Sequence, residues 1–212
     1  MKATSKVVVS FVCAAAFALA AGQASANLIL NPGFETGDFT SWLVLGATGT
    51  VQSPDNGPSA GGTHNAFLDN QAVAANLALQ QTTAAASVGS GVLVNYSFDL
   101  KAGINAAGGV LFVHIFDQNS GGGVIGQPTG LIGPLLVGPP DGLWHTFSGS
   151  FTTLAGTDHL TIEFDATTGA GAGSIEQMHV DNVVLNAVPE PTTVTLVGLG
   201  LLGLLGLRRR KA

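Results

Sequence analysis

Residues 27–187 of this 212-residue chain are predicted to form an antiparallel β-sandwich. Three observations carry the prediction. The stretch is rich in Gly, Thr, Ser and Asn and nearly free of the long charged residues that favour helices. Several of its segments alternate apolar and polar residues with a period of two, as a half-buried strand does. Gly-rich turns separate those segments, and a run of such strands buries its apolar faces best as sheet packed on sheet.

Ahead of the body stands "MKATSKVVVSFVCAAAFALAAGQASA". Lys2 and Lys6 precede an apolar stretch over 7–21, and small residues follow at Ala24, Ser25 and Ala26. That order is expected of a secretory signal spanning 1–26, read through Ala24 and Ala26 and cut after Ala26. The lone Cys13 lies inside it, so the mature body is expected to hold no disulfide.

In the body, "AVAANLALQQTTAAAS" is Ala-rich, and we read it as a loop followed by a strand through Leu77 and Leu79. "VLVNYSFDLKAG" places Val94, Tyr96, Phe98 and Leu100 on one face against Asn95, Ser97, Asp99 and Lys101 on the other. "GVLFVHIFDQ" is apolar on both faces, the pattern of a central strand. Residues 118–142 hold so many Gly and Pro that they read as one long loop. "LWHTFSGSFTT" and "DHLTIEFDA" alternate again, the second with Leu160, Ile162 and Phe164 inward, and "HVDNVVLN" closes the body.

The chain then runs "VPEPTTVTLVGLGLLGLLGLRRRKA". Pro189 and Pro191 forbid a regular helix there and hold Val188 and Glu190 extended, which makes an exposed joint. Residues 192–207 would form a helix of about 24 Å, short against a bilayer core of about 30 Å. Arg208, Arg209, Arg210 and Lys211 are expected to stay cytoplasmic and leave the body outside. This order of motif, short Gly/Leu-rich helix and arginine block over 188–212 resembles the PEP-CTERM sorting signal of Gram-negative bacteria. The resemblance implies transient anchoring in the inner membrane and recognition by an exosortase-type protease. It also implies cleavage near Pro189-Glu190-Pro191 and delivery to the cell surface or extracellular matrix.

Charge narrows the partners. Of the chain's seven Lys and Arg only Lys101 falls in 27–188, against twelve acids, a net charge of −11 for the body. Such a surface repels phosphate backbones, so no nucleic-acid partner is expected.

A second resemblance rests on "NLILNPGFETGDFTSW", "GGTHNAFLDN", "LALQQT" before "NYSFDLKAG", "WHTFSGSFT" and "HVDNVVL" in that order. The body resembles galactose-binding-like jelly rolls, among them carbohydrate-binding modules and the choice-of-anchor and DUF642-like extracellular domains. It implies a structural calcium ion held by Glu35 and Asp181, helped by loop carbonyls such as that of Gly33; the alternative is that both acids cap turns or face solvent. Calcium suits such hard oxygen donors.

Sugar rings stack on exposed aromatic faces while a few polar groups fix their hydroxyls. The candidates are Trp42, Tyr96 and Trp144, although Tyr96 shares a face with Val94 and Phe98 and fits the core, and none is a clear platform. An enzyme is not expected. The chain has no G-x-S-x-G, no H-E-x-x-H and no phosphate loop, and His64, His114, His145, His159 and His179 are scattered without ligand spacing. The expected role is a non-catalytic structural or adhesive one in the extracellular polysaccharide, the alternative being a module with a defined glycan ligand and the minor alternative a secreted polysaccharide-acting enzyme.

Overall fold

The computed structural model describes residues 26–46, 49–54, 57–102, 108–130, 132–135 and 142–188. The signal through Ala24, the Pro189-Glu190-Pro191 motif, the expected helix and the basic tail lie outside the described residues. Residues 26–188 form one compact unit.

Among the described residues eleven strands follow in chain order: β1 (Leu43–Leu45), β2 (Gly49–Gln52), β3 (Asn65–Asn70), β4 (Asn76–Thr82), β5 (Leu93–Ala102), β6 (Gly109–Gln118), β7 (Val124–Gly126), β8 (Ile132–Leu135), β9 (His145–Thr152), β10 (His159–Thr168) and β11 (Glu176–Ala187). They build two antiparallel sheets. A six-stranded sheet runs β1-β4-β10-β6-β7, with β8 also paired to β6, and a five-stranded sheet runs β2-β3-β11-β5-β9. The all-β sandwich expected from alternation is therefore present, and Leu77 and Leu79 lie in a strand as read. Residues 118–142, read as one loop, contain β7 and β8. Short Gly-flanked apolar pieces such as Val124–Gly126 carry too few residues to display a period.

The core is the inward half of each alternation. Leu77, Leu79, Leu111, Val113, Ile115, Leu160, Ile162 and Phe164 from one sheet meet Ala66, Leu68, Val94, Phe98, Leu100, Met178, Val180, Val183 and Leu185 from the other. Phe98 and Phe164 cross the gap edge to face, centroids 5.3 Å apart. Along β11 the buried residues change parity, from Met178 and Val180 to Val183 and Leu185. A bulge between Asp181 and Val184 inserts the extra residue, with Asn182 at φ 51°. Asn tolerates that left-handed conformation better than most residues.

The segment before β1 is tied to β11. Leu28 N donates to Leu185 O at 2.9 Å, and Val183 N donates to Pro32 O at 2.9 Å. Asn31 then closes the following turn, its side-chain amide donating to Thr36 Oγ1 at 2.7 Å and to the Asp38 and Thr40 carbonyls. Phe34 and Trp42 drop from this turn into the core.

Candidate functional site

The solvent side of the six-stranded sheet carries the densest arrangement of chemistry. Antiparallel register sets its side chains in four rows across the strands. Thr82, Thr161 and Phe116 form the first; Leu43, Gln80, Glu163 and His114 the second; Leu45, Ala78, Asp165 and Phe112 the third; Asn76, Thr167 and Val110 the fourth. Read along the strands, β6 offers an aromatic strip, β10 a pair of carboxylates, β4 amides, and β1 two exposed leucines, Leu43 and Leu45.

The aromatic strip is half-buried at Phe112, His114 and Phe116. The His114 and Phe116 rings lie nearly parallel, at 3° and 5.4 Å between centroids. From Phe112 to Phe116 the strip runs about 13 Å at ~3.3 Å per residue, longer than one sugar ring.

Beside it, Gln80 Nε2 donates to Glu163 Oε2 at 2.7 Å and Asn76 Nδ2 donates to Asp165 Oδ1 at 2.7 Å. His114 Nε2 stands 3.1 Å from Asp165 Oδ2. Burial pushes the Glu163 carboxyl above its ordinary range, and the neighbouring Asp165 adds to the effect, while His114 and Gln80 oppose it.

A second acidic cluster lies where the 31–41 turn, the 57–64 loop and the β11 bulge converge. Asp181 Oδ2 accepts Gly57 N–H and Oδ1 accepts Asn182 N–H, both at 2.7 Å. Asp99, directly opposite on β5, accepts Ser59 Oγ at 2.6 Å, Thr146 Oγ1 at 2.5 Å and Asn182 Nδ2 at 2.8 Å. Glu35 Oε1 accepts the N–H groups of Thr63 and His64 at 2.9 and 3.0 Å.

Burial pushes Asp181 up to about 7, against its two N–H bonds, and the charges of Asp99 and Glu35 push the same way. Burial also acts on Asp99, but the bonds from Ser59, Thr146 and Asn182 outweigh it and hold that carboxyl below the usual range. Gly33 borders the cluster. A Cβ there would stand 3.4 Å from Asp181 Oδ1 and 3.7 Å from both Asn182 Oδ1 and Glu35 Cγ, so the backbone of Gly33 runs close to both acids.

Of the aromatics singled out from sequence, Trp42 and Tyr96 pack inward. Trp42 is only 7% exposed, packs on Phe34 and Phe164, and donates Nε1–H to Asn31 O at 3.1 Å. Tyr96 packs against the core and lies stacked near Phe98 at 6.1 Å. Trp144 stands just before β9, beside the five-stranded sheet, with Lys101 Nζ 5.1 Å from its ring centre and His179 edge-on at 6.1 Å. These three therefore do not share one surface.

The residues of the four rows were not picked out from sequence, and His114 was set aside for lack of ligand spacing. One signal was present. In "VLFVHIF" the aromatic rings fall on every second residue at Phe112, His114 and Phe116, and the aliphatics Leu111, Val113 and Ile115 fall between. β6 is apolar on both faces, as read, but only one face is core.

Solved structures place this architecture. The CBM22-1 xylan-binding domain of a Paenibacillus barcinonensis protein is 13% identical, with a TM-score of 0.52, over 79% of this chain and 98% of that one. A Family 16 Carbohydrate Binding Module-2 is 18% identical, with a TM-score of 0.51, over 75% and 99%. The enzymatically active domain of bacteriophage CBA120 tailspike protein 4 is 14% identical, with a TM-score of 0.59, over 76% of this chain but only 21% of its own length.

The fold is thus the β-sandwich of carbohydrate-binding modules. Residues 187–211 match the PEP-CTERM protein-sorting motif, which marks a chain for export and cell-surface sorting in bacteria. A comparison with curated proteins found no match.

Proposed function

We propose that this protein is an exported, non-catalytic surface component of a Gram-negative bacterium whose sandwich holds extracellular polysaccharide on the solvent side of the six-stranded sheet. The observation that carries the reading is the row arrangement itself. An aromatic strip for sugar faces lies beside the half-buried Glu163 and the Gln80 and Asn76 amides, which can exchange hydrogen bonds with hydroxyls, all on regular strands above the buried Asp165. The sorting motif supports delivery beyond the envelope after processing by an exosortase-type protease. Retention in the exopolysaccharide matrix follows from both.

The carboxylates argue for binding rather than hydrolysis. Glu163 and Asp165 are neighbours on one face of one strand and interact directly. A glycosidase pair flanks its bond at about 5 Å or more, so two adjacent interacting carboxylates suit a binding role better.

The test is a glycan array with the purified protein. Phe112→Ala and Phe116→Ala should each weaken the bound glycan at least about tenfold, which is ~1.4 kcal/mol. Trp144→Ala should leave it unchanged. Absence of glycan binding, or loss only on Trp144→Ala, would overturn the assignment.

A structural calcium ion at Glu35 and Asp181, with Asp99 near, belongs to the same proposal. The fit rests on the hard oxygens of Asp181, whose charge the neighbouring Asp99 and Glu35 oppose, in a body whose single Lys or Arg, Lys101, lies over Trp144. Calcium at about a hundredfold over its Kd should raise the melting temperature by roughly 5–10 °C, reversed by chelator. A melting temperature indifferent to chelator would remove the ion from the account.

A further inference from the structure

We propose that His114, Glu163 and Asp165 form a site for one divalent first-row transition-metal ion at the centre of the six-stranded sheet's solvent face. One nitrogen and two carboxylate oxygens, one from each residue, already lie within 4.8 Å of one another. Four-coordinate ligands at about 2.0–2.2 Å from one ion stand roughly 3.3–3.6 Å apart, and His114 Nε2 and Asp165 Oδ2 already stand 3.1 Å apart. A mixed imidazole and carboxylate set suits zinc and its neighbours better than calcium, which takes oxygen alone.

Independent features of the face support the ion. The amides of Gln80 and Asn76 each hold one oxygen of their carboxylate, and the second oxygen of Asp165 faces His114 Nε2 at 3.1 Å. Asn76 is held in turn by Thr167 Oγ1, which donates to its Oδ1 at 2.9 Å. Such outer partners fix the orientation of ligating carboxylates.

His114 is aimed differently. Its Nδ1 is buried without a hydrogen bond, and stacking on Phe116 sets the ring so that Nε2 meets Asp165. Among the described residues no Lys or Arg offsets the two acids, because Lys101 lies on the other sheet over Trp144. A divalent ion supplies that charge.

Three protein ligands leave a coordination position open toward solvent. There a water or a pair of neighbouring sugar hydroxyls completes the shell. This use in glycan binding rests on the function proposed above; the ion site does not.

Zinc titrated calorimetrically into the purified protein, with millimolar calcium present to occupy the other acidic cluster, tests the site. Binding of one zinc ion is expected, at least about tenfold weaker in both His114→Phe and Glu163→Gln. The first keeps the ring stack without the nitrogen, and the second keeps the shape without the charge. Cobalt in place of zinc should give visible absorption bands that His114→Phe alters, and melting curves verify that both variants are folded. Zinc bound by the wild type and lost in both variants supports the site whether or not any glycan binds. No zinc binding, or equal binding by the variants, overturns it and leaves the glycan experiment to stand by itself.

Discussion

Trp42→Ala should cost about 3–5 kcal/mol of folding stability and leave glycan affinity per folded molecule unchanged. The indole is buried between Phe34, at 5.3 Å, and Phe164, at 6.3 Å, and Phe164 in turn meets Phe98 of the opposite sheet. Removing it opens a cavity where the 31–42 turn joins the core, and the rigid sheets on either side limit collapse. It also orphans the Asn31 carbonyl, which accepts Nε1–H in a turn that Asn31 closes. Denaturant unfolding checks the loss. A Trp42→Ala protein of undiminished stability that no longer binds glycan would make Trp42 a ligand contact instead.

Glu176 should make the protein lose stability as the pH rises from about 4.5 to about 7. The residue opens β11 on the inner face, only 3% exposed, opposite the fully buried Asn70. Burial alone pushes its carboxyl from 4.5 up to about 7. The sign follows from proton counts. Between those values the folded state holds a proton that the unfolded state has released, so raising the pH favours unfolding. Below about 4.5 both states are protonated and no penalty exists; above about 7 it is complete.

At ~1.36 kcal/mol per pH unit the gap amounts to about 3 kcal/mol. Glu176→Gln should therefore stabilise the protein by up to that amount near pH 8 and by nothing near pH 4. Asp181, also raised to about 7, pushes in the same direction. The comparison of wild type with variant at fixed calcium isolates Glu176. Parallel stability profiles for the two proteins would refute the prediction.

Much of the scaffold was legible along the chain because strand formation is a local matter. The alternation in "VLVNYSFDLKAG" names its own inner face, and Val94, Phe98 and Leu100 are indeed buried. The sorting motif was legible for a similar reason, being a continuous run. β11 was harder. Its alternation reverses at the bulge, so Asp181 faces outward toward Asp99 while Val183 turns in, a change that no fixed period displays.

By itself, then, the sequence determined an exported β-sandwich of net negative charge, with no cysteine in its body and a C-terminal sorting signal. Period, composition and contiguous motifs depend only on residues close in the chain. The tertiary structure alone decided which surface bears chemistry. Gln80 meets Glu163 across 83 residues and Asn76 meets Asp165 across 89. Register between distant strands, and not spacing along any one of them, brings His114 to the same carboxylates. It likewise sends Trp42 inward and Trp144 to the other sheet, since a side chain's neighbours are fixed only once both sheets have closed on their core.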